Sequence, residues 1–262
     1  MKSPLIALTT VLLAVPVLGA EAKVVGKNVS YQDGKETLEG YVAYDDAITG
    51  KRPGVLVVHA WMGLDEYTKK RADMLAELGY VAFAADIYGK GVRPKSPDEA
   101  GKLAGKFKGD RALLRKRVSL GLAQLVADKL TDTQRTAAIG YCFGGTTVLE
   151  LARSGAAVNG VVSFHGGLDS PAPADAKNIK GRVLALAGGA DPYQKPEDLQ
   201  AFTKELNDAG TDWELKMYGG AVHCYTHFLD KGDKAKGCAY DEQADRRSWA
   251  DMKSFFGEIF KK

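Results

Sequence analysis

Ala138-Ile139-Gly140-Tyr141-Cys142-Phe143-Gly144-Gly145 is the stretch that decides how this chain reads. Residues Thr136–Gly140 read as a buried strand and Gly144–Arg153 as a helix, and G-x-C-x-G joins them without a loop. A nucleophile on so sharp a strand-to-helix turn needs small neighbours, because its own backbone is strained and the strand crowds it. Gly140 and Gly144 supply that room. The turn also sets the Cys142 thiol at a helix amino terminus, where partial positive charge favours a thiolate. Beside it, the backbone N–H of Phe143 would face an oxyanion developing on a bound carbonyl. A buried structural cysteine among packing glycines is the plainer explanation, since lone buried cysteines are common. The glycine spacing and the strand–helix context together favour a catalytic thiol.

Outward from this turn, short apolar strands alternate with helical stretches. Val24–Gln32 and Leu38–Tyr44 read as an opening antiparallel pair. Gly54–His59, Tyr80–Asp86, Gly160–His165, Val183–Ala187 and Trp213–Tyr218 read as further strands. Helical spacing covers Glu66–Leu78, stopped by Gly79, then Ala112–Lys129, Leu199–Ala209 and Asp241–Phe260. Residues Gly89–Gly109, rich in Gly, Pro and Lys, read as an irregular excursion over the sheet edge. Such alternation predicts an α/β protein: a mostly parallel central sheet with helices on both faces, in three αβα layers. Chemistry in such sheets collects at the carboxyl ends of the strands.

A thiol nucleophile needs a base, and the base needs an orienting carboxylate. On a nucleophile-elbow turn these follow in the order nucleophile, acid, histidine. The chain has four histidines, His59, His165, His223 and His227. His223 follows the last predicted strand, in Gly219-Gly220-Ala221-Val222-His223. Asp191 follows the strand before it, in Gly188-Gly189-Ala190-Asp191-Pro192. Alone, Asp191 could be a turn aspartate before a proline and His223 a loop histidine. The required order, with each residue just beyond a strand, makes the set stronger than any member.

These motifs resemble the dienelactone hydrolase family of α/β-hydrolases over nearly the whole mature chain. The specific matches are Gly140–Gly145 and Tyr218-Gly219-Gly220-Ala221-Val222-His223; Asp86-Ile87-Tyr88-Gly89 and Gly188–Pro192 are commoner turns. The resemblance implies an α/β-hydrolase fold and a Cys142–Asp191–His223 triad. It implies a second oxyanion N–H from Trp61, in the loop His59-Ala60-Trp61-Met62-Gly63-Leu64. Three positions depart from the family's pattern. Ala60 stands where well-known members carry a glutamate that helps ionise the thiol. Lys90 and His227 stand where they carry arginines that hold a substrate carboxylate, and lysine offers charge without a bidentate fork. Lys90 and His227 are therefore the candidate substrate-binding residues, with Arg93 as a substitute guanidinium of unassigned position.

The chain has 262 residues, 45% of them hydrophobic and 26% charged, a globular composition that supports one large core. A net charge of +3 gives no electrostatic case for nucleic acid or membrane binding. Lys2, the apolar run Leu5–Leu18 and Ala20-Glu21-Ala22 read as a secretory signal. Residues 1–22 are thus expected to be removed, with a cut after Ala20 as an alternative and an uncleaved anchor as the competing reading, leaving 23–262 as a single domain, exported to the periplasm or secreted, with no stable membrane association. Export permits disulfides. With Cys142 committed to chemistry, Cys224 and Cys238 form an even pair closing a short polar loop, and a bridge there would be worth about 3 kcal/mol. His223-Cys224-Tyr225-Thr226-His227 lacks the companions of a metal site, and no phosphate loop or dinucleotide fingerprint appears, so neither metal nor cofactor is expected. His59 and His165 read as packed or pocket-lining residues. Lys102, Lys106, Lys108, Arg111, Arg115, Lys116 and Arg117 read as a solvated helix face.

The sequence therefore points to a hydrolase of small esters or lactones acting through an acyl-enzyme. The rival reading is a retired hydrolase fold that only binds small molecules, favoured by Ala60, Lys90 and His227.

Overall fold

The structure, a computed structural model, describes residues 23–261. The expected secretory signal, residues 1–22, lies outside them. Ten strands and six helices occur in the order β1 (Val24–Asp33), β2 (Glu36–Asp45), β3 (Arg52–Val58), α1 (Glu66–Glu77), β4 (Val81–Ala85), α2 (Pro97–Gly109), α3 (Arg111–Ala127), β5 (Thr131–Tyr141), α4 (Phe143–Arg153), β6 (Gly160–Phe164), β7 (Arg182–Gly188), α5 (Pro196–Ala209), β8 (Trp213–Tyr218), β9 (Gly232–Asp233), β10 (Cys238–Ala239) and α6 (Glu242–Ile259). Eight of the strands form one sheet in the order β1-β2-β4-β3-β5-β6-β7-β8. The β1–β2 and β2–β4 pairs are antiparallel and the remainder parallel. Among the described residues no helix is long and apolar enough to cross a membrane.

Strand periodicity builds the two cores. In β3, Leu56 and Val58 face one side and Val55 and Val57 the other, and all four are buried. The first face packs against Leu114 and Val118 of α3, Val148 and Leu149 of α4, and Phe202 and Leu206 of α5. The second packs against Leu75 of α1 and Met252 and Phe256 of α6. The three αβα layers expected from the alternation are present. After β3 the chain moves to β4 on one side and then returns to β5 on the other. Strand order therefore reverses between β3 and β5, the place where an open α/β sheet leaves a crevice beyond its carboxyl ends.

Two sequence expectations need correction. More than half of the supposed excursion, Pro97–Gly109, is helix α2. Ser96 caps it, accepting from the Glu99 N–H at 3.2 Å, and Pro97 occupies the first turn. Gly101, Gly105 and Gly109 face open space, while Ala100, Ala104 and Phe107 are buried. The basic stretch is not one solvated face either, because Asp110 ends α2 and caps α3. Arg117 is buried and pairs with Asp33 at 2.7 Å and with Glu36. Arg115 pairs with Glu150 at 2.9 Å and Asp175 at 2.7 Å, and Arg111 with Asp169 at 2.7 Å.

Candidate active site

Cys142 occupies the single residue between β5 and α4, with φ +54° and ψ −113°. That left-handed backbone costs on the order of 1–3 kcal/mol and persists only where the surroundings impose it. Its neighbours show why they are glycines. A Cβ on Gly140 would lie 2.0 Å from the Gly144 carbonyl oxygen, and one on Gly144 would lie 2.2 Å from that of Val58. The non-glycine residues with positive φ among those described are Cys142, His165 and Cys224. All three line one 580 Å³ cavity at the carboxyl ends of the strands.

Asp191 and His223 meet Cys142 in that cavity. The His223 ring places Nε2 3.1 Å from Cys142 Sγ and Nδ1 2.7 Å from Asp191 Oδ2. Asp191 Oδ1 accepts the Tyr193 N–H at 2.9 Å, so both carboxylate oxygens are held. Burial alone would raise the Cys142 thiol. The neighbouring His223 charge and hydrogen bond, with the N–H groups of Phe143 and Trp61 facing the sulfur, outweigh it and hold the thiol below its usual value. His223 shifts the other way. Burial disfavours its charge, but Cys142 and Asp191 prevail and push it up to about 10. The two directions belong to one coupled Cys142–His223 pair, and each favours the charged form of its partner.

The Trp61 N–H is aimed by His59. The His59 ring is buried, and its Nδ1 donates to the Ala60 carbonyl at 2.7 Å while the Ile87 N–H donates to Nε2 at 3.2 Å, which assigns the tautomer. The Ala60 carbonyl and the Trp61 N–H share one peptide plane and point oppositely, so fixing the first orients the second. Burial holds His59 below the usual histidine value. Tyr88 Oη donates to the Trp61 carbonyl at 3.0 Å, pinning the next peptide.

The remaining sequence candidates divide. His227 and Cys142 both line a second, enclosed cavity of 50 Å³, where the His227 ring stacks on Tyr67 at 4.3 Å and lies 3.9 Å from Asp65. Lys90 does not reach the site. Its N–H donates to Thr37 on β2 and its ammonium pairs with Glu39 at 2.9 Å, because Gly89 turns the chain at φ +130°. It lines neither cavity. Arg93 donates to the backbone carbonyls of Leu64 and Val92, at 2.6 and 2.7 Å. Cys224 and Cys238 form a disulfide with alpha carbons 5.1 Å apart, and both line the larger cavity. Among the described residues no cluster of three His, Cys, Asp or Glu side chains could hold a metal.

Of the other residues at the site, His165 is marked in the sequence as packed or pocket-lining, whereas Thr226 and Tyr67 carry no sequence signal. His165 lines both cavities, with Nε2 2.8 Å from Thr226 Oγ1. Burial, then the charges of His223 and His227, hold its pKa well below the usual histidine value. Thr226 also accepts from Tyr67 Oη at 2.8 Å, and its carbonyl accepts from Arg71 at 2.8 Å. Tyr193, 61% exposed, stands edge-on to the His223 ring at 5.2 Å. Its place two residues after Asp191 is the one hint available.

Comparison with known proteins gives consistent matches. The model of the dienelactone hydrolase family matches residues 38–260. The probable 2-oxo-3-(5-oxofuran-2-ylidene)propanoate lactonase of Bradyrhizobium sp is 31% identical, over 70% of this chain and 77% of its own. The solved structure of a protein named m3DLH is 38% identical with a TM-score of 0.88, covering 91% of this chain and 99% of that one. A dienelactone hydrolase-like promiscuous phosphotriesterase from metagenomic libraries is 37% identical with a TM-score of 0.86, over 91% and 99%.

Proposed function

The chain belongs to the dienelactone hydrolase family of hydrolases and has the α/β-hydrolase fold, and on that premise we propose that it cleaves small carboxylic esters or lactones through a thioester on Cys142. The observation that carries this reading is the hydrogen-bonded line Asp191–His223–Cys142, with two backbone N–H groups facing the sulfur.

The Cys142 thiolate attacks the substrate carbonyl carbon, and the carbonyl electrons move to oxygen. The N–H groups of Phe143 and Trp61 stabilise that oxyanion; one such donor is typically worth about 10²–10³ in rate. The C–O bond breaks as the His223 imidazolium gives its proton to the departing alkoxide. In a lactone that alkoxide stays attached to the acyl group. Neutral His223 then takes a proton from water, hydroxide adds to the thioester, and the thiolate leaves with the carboxylic acid formed. Asp191 keeps Nδ1 protonated and the ring in register.

Trp61, Phe143 and Tyr193 give the 580 Å³ cavity apolar lining, and Lys108, Lys195, Asp169 and Asp198 line it with charges of both signs. This favours a compact apolar substrate body. The pattern of residues 1–22 adds a proposal of export, with the mature chain working in the periplasm or outside the cell.

The test is hydrolysis of p-nitrophenyl acetate, with a lactone and a phosphotriester in the same panel, by wild type, Cys142→Ala and His223→Ala. Each substitution is expected to lower kcat by about 10³-fold or more. Turnover by Cys142→Ala equal to wild type would reject the thioester route. Absence of turnover in the wild type across the panel would favour the retired binding protein.

A further inference from the structure

The disulfide lies at the candidate base. Cys224 follows His223 directly and holds a left-handed φ of +61°, a conformation a cysteine adopts at a cost. Its partner Cys238 sits on a strap formed by β9, a 3₁₀ turn at Lys234–Lys236, and β10. The strap returns over His223. The His223 N–H donates to the Gly237 carbonyl at 3.0 Å, and the Ala239 N–H donates to the His223 carbonyl at 3.0 Å. Gly237 packs so closely on Pro192 that a Cβ there would lie 2.4 Å from Pro192 Cγ. The strap thus spans from the histidine to the residue next to Asp191. The outer part of the strap, Lys231 to Lys236, is exposed, while Gly237 and Ala239 at its base are buried, so its hold on His223 rests on those two backbone bonds, the packing on Pro192 and the bridge. Cys224 and Cys238 both line the cavity that contains Cys142.

We propose that the Cys224–Cys238 bridge is a latch that positions His223 against Cys142 and Asp191, so that hydrolysis depends on the oxidised state of this bridge. The inference rests on the hydrolase reading above and adds its regulation. Reduction by a dithiol breaks the S–S bond, delivers two electrons and two protons to give two thiols, and converts the reagent to its cyclic disulfide. Freed from its latch, the exposed strap leaves His223. The histidine backbone then loses two partners and water reaches the imidazole. Such a protein works only in an oxidising compartment and is idle wherever thiols are kept reduced.

The experiment equilibrates the purified full chain in dithiothreitol buffers of graded potential. It reads p-nitrophenyl acetate kinetics, thiol count, circular dichroism and the pH profile of Cys142 alkylation by iodoacetamide, followed by mass spectrometry of its peptide. As free thiols rise from one to three, kcat should fall about 10- to 100-fold, the loss typical of a misplaced catalytic group. KM should stay within about twofold, circular dichroism should hold, and the alkylation profile should move toward that of a free cysteine, near pH 8.5. Reoxidation should restore all of it. Cys224→Ser/Cys238→Ser should show the same low kcat and ignore the buffer potential. An unchanged kcat and alkylation profile after reduction would overturn the latch. So would activity lost only in step with the circular dichroism signal, which would make the bridge a staple of the whole fold. If no ester is turned over but the alkylation profile still shifts with potential, the latch stands and the hydrolase reading falls.

Discussion

In sequence, His223 lies 32 residues from Asp191 and 81 from Cys142, yet one imidazole touches both. Those three positions were legible because each follows a parallel strand, and such strands all end on the same side of the sheet. Lys90 was not, because position along the chain says nothing of where a turn at positive φ sends the next side chain. With its ammonium on Glu39, a Lys90→Ala variant should hydrolyse acidic and neutral esters in the wild-type ratio. Selective loss on acidic esters would place Lys90 at the substrate after all. The shifted pair makes a second prediction. As pH falls, the thiolate takes up a proton and reactivity is lost. Because the folded thiol lies below its usual value, alkylation of Cys142 should be half-maximal below about pH 8.5, the value for free cysteine. On the alkaline side the imidazolium is lost as pH rises through about 10. Ester turnover, which needs that proton for the leaving group, should then decline while alkylation does not. A thiol midpoint at or above that of free cysteine would contradict the ion pair.

At the scale of elements, the eight strands of the main sheet and five of the six α-helices were readable from apolar periodicity, and the missed helix has a physical cause. Three glycines in α2 weaken its helical signature, since each costs about 1 kcal/mol against alanine. The Ser96 cap, Pro97 and the buried Ala100, Ala104 and Phe107 outweigh them. Gly105 faces open space in the interior of that helix, so Gly105→Ala should stabilise the protein by about 0.5–1 kcal/mol in urea unfolding. The elbow glycines should behave oppositely. At Gly144 an added methyl meets backbone at 2.2 Å, and Gly144→Ala should cost about 3 kcal/mol, the upper end for overpacking. Equal effects at the two positions would mean that the elbow is not sterically constrained as described.

Over the whole molecule, the reversal of strand order between β3 and β5 sets the loop of Trp61 beside the turn of Cys142. The sheet class was readable from strand–helix alternation, whereas the strap over His223 was not. Its strands are only two residues long, too short for periodicity to show. Only the pair of cysteines marked it. The proposal of export belongs to this scale. Amino-terminal sequencing of the protein from the periplasm or medium should begin at Lys23, and a chain still beginning at Met1 would contradict removal of residues 1–22.

The proposed hydrolysis turns on a thioester at Cys142. Wild type should be mixed with p-nitrophenyl acetate, quenched in acid within a turnover, and digested for mass spectrometry. One acetyl group is expected, on the Cys142 peptide alone, and it should disappear at the rate of turnover. A wild type that turns over the ester with no acetyl on Cys142, or with the acetyl on another residue, would contradict the thioester.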